Sequence, residues 1–176
     1  MSLLPSRPAA PVALSLALTL AAAIARAAPA VSDPDDVRGP LDIERVDVER
    51  PTTASPLEIA VSFYRRVTRR RFVKGGRVRV SFDTRGDVRP EWIGTVRAGR
   101  HGLALVVSSR RRELARYRIR RPNSHTLSAT IPGSTPANPN GPLRIRVGSS
   151  WRARHGPCKH SCDDRAPDAG SLVVSV

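Results

Sequence analysis

Aromatic residues are scarce: two Trp, two Tyr and three Phe in 176 residues. Single-stranded nucleic acid is held largely by stacking on such rings. Few of these rings lie among the arginine clusters, so the composition argues against a single-strand binding surface. Lysine is scarcer still, with Lys74 and Lys159 alone. A GC-rich genome writes arginine into any basic surface, so the excess of Arg over Lys says little about phosphate recognition. No glycine-rich loop opens a helix, which removes the nucleotide-cradling loops, and no serine sits in a G-x-S-x-G elbow. Beyond the N-terminal segment, no stretch reaches the roughly 18 apolar residues that span a bilayer.

The N-terminal segment reads as a signal peptide, residues 1–27. Arg7 is the only charge before an apolar run, Val12 to Ile24, and Ala25-Arg26-Ala27 offers the small-x-small cleavage pattern. Ala28-Pro29-Ala30 is a second cleavage position. Removal leaves roughly 150 residues, enough for one domain with its own core. The expected organisation is a polar linker over 28–40 and a single domain over 41–176, secreted to the extracellular space or the cell surface with no membrane span.

Period-two patterning dominates the rest. Leu41, Ile43, Val46 and Val48 alternate with charged residues and slip near Arg45, where a bulge is expected. Leu57 to Val67, Arg77 to Phe82, Glu91 to Arg97, Gly102 to Ser108, Ala115 to Ile119, Thr126 to Ile131, Pro142 to Val147 and Ser171 to Val176 are further strands. Between them fall turn residues such as Gly75-Gly76, Pro122-Asn123 and Pro132-Gly133. Arg65 to Gly76 is a basic connector with room for a helical turn. Eight or nine short strands with almost no amphipathic helix predict an all-β fold, an antiparallel β-sandwich of jelly-roll type.

Formal net charge is +15. Val31 to Ala60 carries eight acids against three Arg, whereas Val61 to Arg121 carries eighteen Arg and one Lys against four acids. The runs Arg69-Arg70-Arg71 and Arg110-Arg111-Arg112 are candidate ligand-binding residues for an anionic polymer, their field drawing in negative charge. The same runs also read as a solvated surface. Duplex nucleic acid would be bound only nonspecifically, through its backbone. An anionic polysaccharide or envelope polymer fits the compartment better.

Two motifs bear on metals. In Phe82-Asp83-Thr84-Arg85-Gly86-Asp87, Asp83 and Asp87 flank a short turn, with Glu91 close behind. Calcium needs several converging oxygen ligands, so Asp83 and Asp87 form a candidate calcium site. A plain hairpin turn accounts for the same Asp and Gly, and the Arg-Gly-Asp tripeptide arises readily by chance in an Arg-rich chain. Near the C-terminus, His155, Cys158, His160 and Cys162 have the donor types of a zinc site. In an oxidising compartment a Cys158–Cys162 disulfide is the favoured outcome, since these are the chain's two cysteines. That bridge removes Cys158 as a thiolate nucleophile. No complete catalytic set remains, and no cofactor other than calcium is indicated.

Gly39-Pro40-Leu41-Asp42-Ile43, the Phe82–Asp87 segment, Asn123 to Pro132 and Cys162 to Gly170 follow one another in an order that resembles secreted actinobacterial β-sandwich proteins of unassigned function. More loosely, they resemble modules of the DOMON and carbohydrate-binding type. The resemblance implies an extracellular, noncatalytic jelly roll. Many such modules have D-T-D-G-D-G where this chain has Arg85 in place of the middle Asp and Val88 in place of the second Gly. The single methionine is Met1, so a Met-ligated haem is excluded for the mature form. The expected function is noncatalytic binding of an anionic or carbohydrate envelope ligand. The alternatives are a secreted metal-dependent hydrolase using Asp83 and Asp87, and a purely structural surface protein.

Overall fold

The computed structural model describes residues 29–86, 89–133, 135, 137–138, 141–152, 158 and 160–175. The expected signal peptide, Asp87 and His155 lie outside the described residues.

Among the described residues, short segments give eleven strands and one short helix: β1 Ala30–Ser32, β2 Ile43–Glu49, β3 Leu57–Phe63, α1 Arg69–Val73, β4 Arg77–Asp83, β5 Trp92–Gly99, β6 Gly102–Ser109, β7 Arg112–Arg120, β8 Thr126–Ile131, β9 Leu143–Trp151, β10 Cys162–Ala166 and β11 Leu172–Val174. The fold is all-β, as expected, and among the described residues the strands of the sheet pair antiparallel. The strand order is β1-β2-β3-β8-β7-β6-β5-β4-β9-β10, with β11 also on β9. The bulge expected near Arg45 is a register shift between Ile43 and Arg45.

The sheet curls almost to closure, bringing β10 against β2. Inward side chains at alternate positions fill the interior: Ile43, Val46 and Val48 on β2, Val78, Val80 and Phe82 on β4, and Leu143, Ile145 and Val147 on β9. Phe63 and Phe82 are fully buried. Each such side chain contributes about 1.5–3 kcal/mol by leaving water. At one end of this core the buried Arg50 donates to Asn138 Oδ1 (3.1 Å), to the Gly141 carbonyl (2.5 Å) and to the Val174 carbonyl (3.4 Å). It thereby ties the loop before β9 to the end of β11.

Two strands differ from expectation. Part of the segment expected as a polar linker forms β1, pairing Ala30, Val31 and Ser32 with Asp47, Val46 and Arg45. At three residues, AVS, it is too short to carry a period-two signal. β10, CDDRA, reads as a polar loop because only Ala166 is apolar on its inward side, yet it pairs with β9 from Trp151 to Val147. The Cys158–Cys162 disulfide opens this strand. It packs on Gly39, whose missing Cβ would lie 3.5 Å from Cys162 Cβ and 3.8 Å from Cys158 Sγ. Among the described residues no helix is long and apolar enough to cross a membrane.

Candidate functional site: an arginine-covered sheet face

In a strand, residues i and i+2 share a face. The short patterns RVRV, ARYR and LRIRV therefore put their arginines on one side and their apolar residues on the other. Arg77 and Arg79 on β4, Arg97 on β5, Arg116 and Arg118 on β7, Arg144 and Arg146 on β9 and Arg165 on β10 are all exposed. Their neighbours Val78, Val80, Val96, Ile119, Ile145 and Val147 are buried in the core.

Register lines these arginines up across the strands. Arg116 pairs with Val106, Val106 with Thr95, Thr95 with Arg79, Arg79 with Gly148 and Gly148 with Arg165. One transverse row thus crosses six strands. With strands about 4.8 Å apart, its arginines recur at roughly 14 and 10 Å. The adjoining row runs Arg118, Ala104, Arg97. Between the arginines the surface is small: Ala104, Thr95, Gly148 and Ser150. Val106 lies on this outer face yet is only 2% exposed and stands outside the core cluster. The aliphatic stems of arginine cover apolar surface in this way while the guanidinium stays wet.

Few acids compensate. Glu113 binds Arg116 through both oxygens, at 3.1 Å each, and Asp83 stands opposite Arg144 in register. At one margin, where β7 leaves β6 to pair with β8, an open groove of about 810 Å³ is bordered by Arg69, His101, Arg116, Arg118, Arg120 and Arg121.

The arginine runs singled out by sequence sit elsewhere. Arg69, Arg70 and Arg71 form α1, where Arg69 donates to the Gly99 carbonyl (2.5 Å) and Arg71 to the Pro40 carbonyl (2.6 Å). Burial, with Arg65 nearby, lowers the pKa of Arg71. Arg110 and Arg111 are the two turn residues of the β6–β7 hairpin, with φ of 47° and 73°, and Arg112 starts β7. The triplets are at opposite ends of β6, roughly 25 Å apart at strand rise. Only Arg69 borders the groove.

One oxygen of Asp83, Oδ1, accepts from the backbone N–H of Arg85 (2.9 Å) and Gly86 (2.7 Å) in its own turn. Glu91 accepts from the N–H and hydroxyl of Thr84 and pairs with Arg85 at 3.3 Å.

Carboxylates converge at another place, the seam where the curled sheet nearly closes. Asp33 follows β1, Asp35 and Asp36 lie in the next loop, Asp42 precedes β2, Asp164 points inward from β10 and Asp168 follows it. Asp33, Asp42 and Asp164 are buried. Burial pushes the carboxyl of Asp33 up to about 7, with Asp164, Asp168 and Asp36 adding repulsion. Burial likewise pushes Asp42 up to about 7, with Asp35, Asp164 and Asp36 contributing. Asp164 is also raised by burial, against the pull of the Ile43 and Arg165 N–H groups. Sequence reading missed this cluster because its members come from opposite ends of the chain and share no motif.

Compared with models of protein families, with curated proteins and with solved structures, the chain matches none. The likeness to secreted β-sandwich modules therefore rests on the short motifs alone.

Proposed function

We propose that the protein is a noncatalytic binding module of the extracytoplasmic space that takes an anionic polysaccharide or other anionic envelope polymer on its arginine face, within a sandwich-type frame. The observation that carries this reading is the transverse row Arg116–Arg79–Arg165 with Arg118 and Arg97 beside it. A polymer laid across the strands meets one guanidinium after another, and each offers a planar fork of donors suited to carboxylate or phosphate. The small residues between leave the backbone of a chain-like ligand room to approach. The N-terminal signal pattern and the disulfide support an oxidising compartment.

The test is binding of polygalacturonate, poly(glycerol phosphate), neutral dextran and duplex DNA at low and high salt. The expected result is salt-sensitive binding of the two envelope-type polyanions, no binding of dextran, and a loss of roughly tenfold or more in Arg79→Glu/Arg116→Glu. Equal loss from charge reversal anywhere on the surface, or tighter binding of DNA, would overturn the reading.

A further inference from the structure

The six aspartates at the seam stand in an environment that ordinary folding does not explain. Asp42 has 0% exposure, and no N–H or hydroxyl group donates to either of its carboxylate oxygens; only another carboxyl, that of Asp35, stands within hydrogen-bonding reach. Asp33, 4% exposed, likewise has no such donor at Oδ2 and faces the Asp164 carboxyl. Among the described residues, no arginine or lysine ion-pairs with Asp33, Asp42 or Asp164. In a chain this rich in arginine, that is the reverse of what buried carboxylates require, because an uncompensated buried charge costs several kcal/mol.

The oxygens are also close together. One oxygen each from Asp36, Asp42 and Asp164 lie within 4.8 Å of one another, as do one each from Asp33, Asp164 and Asp168. Ligands on a sphere of about 2.4 Å radius, the calcium–oxygen distance, are at most roughly 4.8 Å apart. The two triads share Asp164, so they form one continuous lining.

We propose that this seam holds a hard divalent cation of the calcium class, bound by the triad Asp36, Asp42 and Asp164, with Asp33 and Asp168 grouped beside it around the same Asp164. The donor set is all carboxylate oxygen, which suits calcium and gives zinc neither of its preferred nitrogen and sulfur ligands. Magnesium demands near-ideal octahedral geometry and dehydrates reluctantly, so a buried lining of irregular loop residues favours the larger ion. The role of the ion follows from where its ligands come from. Asp33, Asp36 and Asp42 belong to the loop entering β2, and Asp164 and Asp168 to β10 and the turn after it, so the cation clasps the two margins of the curled sheet. This site is separate from the arginine face and from the Asp83 turn.

The experiment is calorimetric titration and thermal melting of the full, disulfide-intact protein after chelation, with calcium and then magnesium. The expected result is a saturable calcium site, weaker for magnesium, and a melting midpoint raised by roughly 5–10 °C at a hundredfold excess over Kd. Asp42→Asn should abolish binding. Because that variant alters a buried position, the exposed ligand provides a second measurement: Asp36→Asn should weaken calcium roughly tenfold or more while folding normally, and Asp168→Asn, in the flanking triad, should weaken it less. Asp83→Asn should bind as the parent does. No calcium-dependent heat or midpoint rise at millimolar concentration would overturn the proposal, leaving protons as the compensating charge. Loss of binding only in Asp83→Asn would overturn it too, by moving the ion to the turn.

Discussion

The carboxylate of Asp164 on β10 accepts a 2.5 Å hydrogen bond from the backbone N–H of Ile43 on β2, across 121 residues of sequence. It does so where β2 slips register between Ile43 and Arg45, and its other oxygen accepts from the N–H of Arg165 at 2.7 Å. A side chain here supplies the acceptor that a neighbouring strand's carbonyl supplies elsewhere in the sheet. The Ser149 hydroxyl, donating to the Leu41 carbonyl, makes a second tie across the same seam.

Asp164→Ala should therefore destabilise the protein more than Asp164→Asn. Asparagine keeps an acceptor oxygen for Ile43, whereas alanine leaves a buried N–H unpaired at a cost of about 1–3 kcal/mol. Both substitutions remove the same charge, so their difference reports the lost acceptor together with the volume that alanine vacates. Denaturant unfolding of the two variants side by side measures it, and equal stabilities would count against this role.

Gly94 on β5 points inward between Phe82 and Leu105. A Cβ there would stand 2.8 Å from Leu105 Cδ1 and 3.2 Å from Phe82 Cε2. Gly94→Ala gains strand propensity but overpacks a filled interior, which costs about 1–3 kcal/mol. A lowered unfolding midpoint is expected. Pairing the substitution with Leu105→Ala should recover part of the loss relative to the sum of the two single changes, because the added methyl then has space.

The all-β class was legible because hydrophobic alternation is a local property, written within five or six residues of each strand. Thr126–Ile131 has the boundaries expected from sequence, and the bulge beside Arg45 is visible as a slip in the pattern. β10 was not legible, since the residue that fastens it is an inward aspartate, which reads as solvent-exposed until its partner Ile43 is known. The arginine face was present as Arg-x-Arg spacing in Arg77–Arg79, Arg116–Arg118 and Arg144–Arg146. Consecutive runs do not mark such a face: neighbours in a strand point to opposite sides, and the run Arg69–Arg71 lies in α1, off the sheet. The acidic seam depends on contacts over more than a hundred residues, and no local pattern announces it.

The seam makes a prediction about pH in the absence of metal. Asp33 and Asp42 move from an ordinary 3.8 to about 7, facing Asp35, Asp36, Asp164 and Asp168, while the Tyr64 hydroxyl donates to the Asp33 carbonyl rather than to a carboxylate. Between those values the folded state holds more protons than the unfolded chain. These groups therefore contribute stability that is complete below about pH 4 and is lost as pH rises through 7. In chelator, the midpoint should be higher at pH 5 than at pH 8, and Asp33→Asn/Asp42→Asn should flatten the difference. Bound calcium should shrink it from the other side, since ionised carboxylates are then paired. A chelated protein more stable at pH 8, with the variant unchanged, would contradict this account.

The β6–β7 hairpin separates turn chemistry from ligand binding. Its loop is the pair Arg110-Arg111, closed by Ser109 opposite Arg112, and both residues have positive φ. That is the backbone of a two-residue turn matched to strand twist, for which Asn-Gly is preferred. An arginine in the left-handed region costs about 1 kcal/mol relative to residues that tolerate it. Replacing the pair by Asn-Gly should stabilise the protein by about 1 kcal/mol or more. Because the tip lies off the Arg116–Arg79–Arg165 row, the same variant should keep most of its affinity for polygalacturonate, the residual decrease reflecting two charges removed from the long-range field. Thermal melting and binding on one sample decide both parts. A large loss of affinity with unchanged stability would place the polymer at the hairpin tip instead of on the sheet face.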